Sequence, residues 1–280
     1  MWCVNFLTFI WCLLWILPNP SSGENRDFLL QLSAQTCSLD AGIITTMKTL
    51  GILKKRKKGR GGLSKISALF YNVDGREKFE RSSDPADLGN HSFTFLAETW
   101  LMEHKSTPLL SNKDFFVVHA DKKPRGRPFG GLEMYVSKHL KGTLVSSSPH
   151  HIAVSTANSI SVIGVYYSPA LDFDDVFSDL TQALLSCPEN GRIILGGDFN
   201  LKNGTEEFKI LQHLLDSYNI NLRSNPDCST YTHAKGSSTP DHVFLSRDLV
   251  SPKCTVTKLC ASPHEGLNVT FKPSCGEAHS

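Results

Sequence analysis

Arg192-Ile193-Ile194-Leu195-Gly196-Gly197-Asp198-Phe199-Asn200 is the stretch on which the reading of this chain turns. Residues 193–196 form a continuous apolar run, set off by Gly191-Arg192 before it and Gly197 after it, which is the pattern of a short buried strand. With Gly197 as its end, the strand hands Asp198 and Asn200 to the loop beyond. A carboxylate placed there can take a proton from water or bind a metal, and an amide two residues on can donate to a phosphate oxygen. A polar turn behind a core strand has the same local signature, so the weight falls on what else the chain carries.

Outward from this stretch, apolar runs of strand length recur at 66–71, 93–96, 115–118, 132–136, 152–155, 160–166 and 243–245, with a last one at 267–271. Helical spacing appears twice. Val176, Phe177, Leu180, Ala183 and Leu184 line one face after a cap region at Asp172. Phe208, Leu211, Leu214 and Leu215 do the same after Thr205, with Glu206 and Glu207 at the end of the helix that favours negative charge. Many strands with a few interposed helices predict an α/β fold of two packed β-sheets flanked by helices.

Four further polar clusters follow strand-like runs, as Asp198 and Asn200 do: Tyr71-Asn72-Val73-Asp74-Gly75, Ala97-Glu98-Thr99-Trp100, Tyr166-Tyr167-Ser168-Pro169 and Ser238-Thr239-Pro240-Asp241-His242. Loops past strand ends are where α/β proteins place ligands, because the rigid sheet positions them. Taken singly, each cluster also fits a turn, a cap or a surface carboxylate.

In this order, the clusters resemble the endonuclease/exonuclease/phosphatase superfamily, and most of all its apurinic-endonuclease-like branch carried by non-LTR retrotransposons. Asn72-Val73-Asp74-Gly75 is similar to the first family motif. Glu98-Thr99-Trp100-Leu101 is similar to the metal-binding glutamate motif, and Gly126-Arg127-Pro128-Phe129-Gly130-Gly131 to the retrotransposon GRP-x-GG segment. Tyr166, Gly196-Gly197-Asp198-Phe199-Asn200, Thr230-Tyr231 and Ser238 to His242 fall on later motifs. The likeness spans roughly residues 66–272. It implies a deoxyribonuclease-I-like four-layer α/β sandwich and a divalent-metal-dependent endonuclease that hydrolyses DNA, derived from a retrotransposon. Mg²⁺ is the implied cofactor, with Mn²⁺ as a replacement, held by Glu98 and Asp74. Asn72, Asn200, Tyr166 and His264 are implied to contact phosphate and Asp198 to orient or deprotonate water. Asp241 is implied to hold His264, and Arg127 to touch nucleic acid.

One motif departs from the pattern. The family carries Ser-Asp-His near its end, and this chain has Ser262-Pro263-His264. A proline side chain neither binds a cation nor accepts a hydrogen bond. Two other readings therefore stand beside the endonuclease. One is a phosphodiesterase or phosphatase of the same superfamily acting on a lipid or small phosphate ester. The other is a catalytically inactive remnant that binds nucleic acid. A reverse-transcriptase Tyr-x-Asp-Asp motif is absent, which excludes a complete retroelement polyprotein and leaves a fragment or a co-opted domain.

The chain has 280 residues, 40% of them hydrophobic and 20% charged, enough for one large α/β domain with tails. We divide it into an apolar leader at 1–22, a segment of weak periodicity at 23–64, and the sandwich at 65–275. The net charge of +2 conceals the basic run Lys54-Lys55-Arg56-Lys57-Lys58-Gly59-Arg60. Such a run reads as a solvated arm, as a nucleic-acid contact or as a nuclear address. The leader is the right length for a secretory signal but lacks a preceding Lys or Arg, so a membrane tether or a chance apolar stretch is the alternative. Location is accordingly secreted if the leader functions, and nuclear or cytoplasmic otherwise. DNA is the expected partner; no stable protein partner and no membrane span beyond the leader are expected. The eight cysteines include no C-x-x-C pair, which argues against a zinc ribbon or a thioredoxin-type site. Asn90, Asn203 and Asn268 begin glycosylation sequons, and a glycan on Asn203 would crowd the loop that carries Asn200.

Overall fold

Alternation of side chains builds the core. Strand β1 (Ile66–Asn72) turns Ala68 and Phe70 to one face and Leu69 and Tyr71 to the other, and all four are buried. A strand buried on both faces needs cover on both, and the computed structural model supplies it. It describes residues 65–122, 126–224, 228–234, 236–260 and 262–273. The leader at 1–22, the segment at 23–64 with its basic arm Lys54, Lys55, Arg56, Lys57 and Lys58, and the last two residues of the segment at 65–275 lie outside the described residues.

Two six-stranded sheets face each other. The first runs β13-β14-β1-β2-β4-β3 and the second β5-β6-β7-β8-β12-β9. In the first, β2 is Phe93–Ala97, β3 Lys113–Val118, β4 Leu132–Ser137, β13 Leu249–Thr257 and β14 Gly266–Pro273. In the second, β5 is Thr143–Ser147, β6 His151–Ser155, β7 Ile160–Tyr166, β8 Arg192–Asp198, β9 Ile220–Leu222 and β12 Asp241–Ser246. A small hairpin, β10 (Tyr231–His233) with β11 (Gly236–Ser238), stands apart. Each sheet has one parallel pair, β1 with β2 and β7 with β8.

Phe70, Phe95, Met134 and Phe271 meet Ile152, Val162, Ile194 and Val243 between the sheets. The outer face of the second sheet is covered by α3 (Phe173–Leu185) and α4 (Glu206–Ser217), whose Val176, Leu180, Phe208 and Leu211 pack on Ile163, Val165 and Leu195. On the outer face of the first, Phe79 of α1 (Arg76–Ser82) and Leu88 of α2 (Ala86–Gly89) cover Leu69 and Tyr71. The result is the four-layer sandwich expected from sequence. Thr205 caps α4, its hydroxyl accepting from the Phe208 amide at 3.3 Å, whereas Asp172 stands at the cap position of α3 without a side-chain cap bond. No helix among the described residues is long and apolar enough to cross a membrane.

The glycines of the opening stretch have a packing reason. Gly164 and Gly196 are neighbours across β7 and β8. A Cβ on Gly164 would lie 2.0 Å from the ring of Phe95, and one on Gly196 2.7 Å from that of Phe70. The two bare positions let phenylalanines from the facing sheet settle onto the strands. Gly197 differs: its φ is +139° and a Cβ there would lie 2.0 Å from the Val165 carbonyl oxygen. Contrary to the sequence expectation, it does not end the strand. β8 continues through it to Asp198, because glycine alone tolerates that backbone and so keeps the ladder with β7 and β12. Gly197→Ala is expected to destabilise the domain by about 3 kcal/mol or more, as strain plus a backbone clash, measured by denaturant unfolding.

Candidate active site

The sheet register decides which side chains meet. β1, β2, β7 and β8 end at the same edge of the sandwich, and the antiparallel β12 and β14 begin there. Asn72 closes β1, Glu98 follows β2, Tyr166 closes β7 and Asp198 closes β8. Asp241 opens β12 directly opposite Asp198, and His264 lies just before β14. Residues remote in sequence thus line one cleft of about 440 Å³, which includes Asn72, Asp74, Glu98, Arg127, Tyr166, Asp198, Asn200 and His264.

Its floor is a chain of hydrogen bonds. The Asn72 amide donates to Asp198 Oδ2 at 2.9 Å, and the backbone N–H of Asn200 donates to Asp198 Oδ1 at 3.1 Å. His264 Nε2 lies 3.8 Å from Asp198 Oδ2, while its Nδ1 is 3.0 Å from Asp241 Oδ2. The Thr230 hydroxyl donates to the same Asp241 oxygen at 2.7 Å. Ser262 ties the end of β1 to the loop before β14: its hydroxyl donates to the Asn72 carbonyl at 2.7 Å and accepts from the His264 amide at 3.1 Å. Thr230 and Ser262 had no assigned role from sequence, since a hydroxyl that bonds across the chain leaves no local pattern.

Across the cleft, Glu98 accepts from the Tyr166 hydroxyl and, at 3.0 Å, from the Trp100 indole N–H. Asp74 is bracketed by cations, with Lys78 Nζ at 2.7 Å and Arg127 Nη1 at 3.7 Å. The Arg127 guanidinium also sits 4.3 Å from the centre of the Trp100 ring. Asp74, Glu98, Trp100 and Asn200 all hold left-handed backbone, with φ between 49° and 53°. Such strain in non-glycine residues gathers where side chains must be aimed at a ligand.

Electrostatics divide the cleft into roles. Burial pushes the Asp198 carboxyl up to about 7, the nearby Asp241 charge adds to this, and His264 and the Asn72 hydrogen bond oppose it. For His264 burial favours the neutral ring, but the hydrogen bond and charge of Asp241, with Asp198 and Glu98, raise its pKa above the ordinary value. Burial, followed by the bond to Glu98, raises Tyr166 and keeps it a proton donor.

Two oxygen-rich sites bear on a cation. Asp198, Asp241 and His264 place ligand atoms within 4.8 Å of one another. They are nearly closed off, however, at 2%, 4% and 8% exposure, and their facing atoms already serve each other. Glu98 and Asp74 are partly exposed and offer only hard oxygens, which suits a small divalent ion that keeps several waters. Pro263 lines the cleft, and its carbonyl accepts from the Thr232 amide at 2.9 Å. Glu265 is not among the cleft-lining residues, and its amide bonds to the Thr230 carbonyl.

Residues 160–267 match a family model described as "Endonuclease-reverse transcriptase". That span holds Tyr166, Asp198, Asn200, Asp241 and His264. No curated protein sequence matches the chain at a significant level. Among solved structures, the chain is similar to the endonuclease domain of TRAS1, a telomere-specific non-LTR retrotransposon (TM-score 0.58, 14% identity, covering 75% of this chain and 99% of that one). It is also similar to the AP endonuclease LMAP from Leishmania major (TM-score 0.59, 12% identity, 74% and 88% covered). A third similar structure is an AP endonuclease from Archaeoglobus fulgidus (TM-score 0.54, 10% identity, 74% and 99% covered). At these identities the structural likeness speaks to the fold.

Proposed function

We propose that this chain belongs to the endonuclease/exonuclease/phosphatase superfamily and is a divalent-metal-dependent endonuclease hydrolysing phosphodiester bonds in DNA. The observation that carries this reading is the row Asn72–Asp198–His264–Asp241 at the cleft floor, hydrogen-bonded at both ends and joined in the middle by the 3.8 Å approach of His264 to Asp198, facing Glu98 and Tyr166 across a space large enough for a phosphodiester.

Hydrolysis needs a water in line with the leaving oxygen, and stabilisation of the charge that builds on the phosphoryl group. Asp198, with a pKa near neutrality, is suited to take a proton from water at physiological pH. Asn72 and the Asn200 amide hold its carboxylate in one orientation. His264, kept positively charged by Asp241, offers its Nε2–H toward the phosphate side of Asp198, and Tyr166 offers a neutral hydroxyl. The missing family aspartate does not disconnect this machinery, since His264 keeps Asp241 and Asp198 as neighbours with proline at 263.

Mg²⁺, or Mn²⁺ in its place, held by Glu98 and Asp74, would polarise a phosphoryl oxygen and offset charge on the leaving group. Lys78 and Arg127 compete for the Asp74 carboxylate until then, so the arrangement couples cation entry to release of two positive side chains. Glu98→Gln is expected to raise the half-saturating Mg²⁺ concentration by about tenfold or more, since even outer partners of a metal site are worth that much. A metal titration of cleavage checks this.

A substrate panel tests the assignment against the phosphatase reading. Duplex DNA, duplex DNA with an abasic site, bis(p-nitrophenyl) phosphate and p-nitrophenyl phosphate are compared in Mg²⁺. Cleavage of either duplex, with the monoester untouched, supports the endonuclease. Hydrolysis of the monoester with both duplexes intact would replace it with the phosphatase.

A further inference from the structure

Behind the cleft lies a second polar cluster that none of these roles uses. His151 opens β6, is wholly buried, and places Nδ1 2.9 Å from Asp179 Oδ2 and Nε2 2.8 Å from the Ser146 hydroxyl. Asp179 projects from α3, and its other oxygen accepts from the Ser148 hydroxyl at 2.6 Å. The Tyr167 hydroxyl donates to Asp179 Oδ2 at 3.2 Å. Burial works against a charge on Asp179, but the hydrogen bonds from His151, Ser148 and Tyr167 outweigh it and hold the carboxyl below its usual range.

Tyr167 is the link to the cleft. Its side chain is buried, with its ring edge-on to Phe199 at 6.0 Å. Its backbone grips both sides of the sequence Asp198-Phe199-Asn200. The Tyr167 N–H donates to the Asp198 carbonyl at 3.0 Å, and the Tyr167 carbonyl accepts from Asn200 Nδ2 at 2.8 Å. The strained left-handed Asn200 thus has its amide aimed by a residue that α3 holds from behind. One amide hydrogen of Asn200 is spent on Tyr167, which leaves the second N–H and the carbonyl oxygen for the cleft.

We propose that Asp179 is a positioning residue for the hydrolytic site. By clamping the Tyr167 hydroxyl against α3, it fixes the Tyr167 carbonyl and, through that carbonyl, the Asn200 amide. This rests on the endonuclease reading for its kinetic consequence but not for its geometry. Asp179 touches no cleft residue directly, so its effect passes through Tyr167 to Asn200. A misplacement well under 1 Å at a phosphate contact is enough to slow a reaction severalfold.

The test uses Asp179→Asn and, to guard against misfolding, the milder Tyr167→Phe. Each is expected to lower kcat for DNA cleavage by about fivefold to tenfold with KM nearly unchanged. In an Asn200→Ala background both are expected to lose that effect, because the group they aim is gone. Losses that multiply in the Asn200→Ala background, or an unchanged kcat in both single variants, would overturn the proposal. A second readout needs no activity. The Asn200 side-chain ¹⁵N–¹H pair, assigned by its disappearance in Asn200→Ala, is expected to shift in Tyr167→Phe and Asp179→Asn, and an unmoved resonance would contradict the clamp. A wild-type protein that cuts no DNA would remove the endonuclease reading, while this resonance would still decide the positioning.

Discussion

Asp198→Asn is expected to lower divalent-dependent DNA cleavage by about 10³-fold, within the range that a positioned general base contributes, while making the protein more stable above neutral pH. Both halves follow from one carboxyl buried at the end of β8 beside Asp241. With its folded pKa pushed to about 7 and its unfolded value at the ordinary 3.8, the side chain binds its proton more tightly in the folded state. Its contribution to stability is then complete below pH 4 and is lost as pH rises through 7. An asparagine has nothing to lose. The melting temperature of the variant relative to wild type should therefore climb between pH 4 and 7 and level off above. An inert protein that melts higher is the mark of a residue kept for chemistry, whereas a structural aspartate would cost stability when replaced.

His264→Ala should lower cleavage by about 10²–10³-fold, the scale found when one donor to a developing oxyanion is removed. The more telling variant is Asp241→Asn. The pH profile of wild type should be bell-shaped, rising as Asp198 loses its proton and falling as His264 loses its own, with limbs that belong to the coupled pair. Asp241 raises both pKa values, Asp198 by repulsion and His264 by hydrogen bond and charge. Removing its charge lowers both, so the whole bell should move to lower pH as its height falls. A bell that shrinks in place would mean that Asp241 only braces Thr230 and the loop.

Much of this arrangement can be read from residues, and the gaps have physical causes. Runs with two buried faces, such as those of β1, β7 and β8, announce themselves as strands because consecutive positions on both faces are mostly apolar. β13 does not: it is an edge strand with Pro252 and a register shift between Val250 and Lys253, so its alternation is broken where a proline is tolerated. β5, another edge strand with a shift between Leu144 and Ser146, is half exposed and reads as loop. Within the cleft, Asn72, Asp198, Asn200 and His264 carry motif spacing. The pairing of Asp241 with Asp198 depends on antiparallel register between β12 and β8, and the bracketing of Asp74 by Lys78 and Arg127 on how α1 meets a distant loop. Tyr167 shows why adjacency misleads. It follows the cleft residue Tyr166 in sequence, yet it faces the opposite side of the sheet and reaches the site through its backbone.

Nicking of supercoiled plasmid by wild type and Asp198→Asn, each in Mg²⁺ and in EDTA, bears most directly on the convergence of these groups around one phosphate. The expected result is conversion to open circles by wild type in Mg²⁺ alone. Equal nicking by the Asp198→Asn protein, or nicking that persists in EDTA, would contradict it.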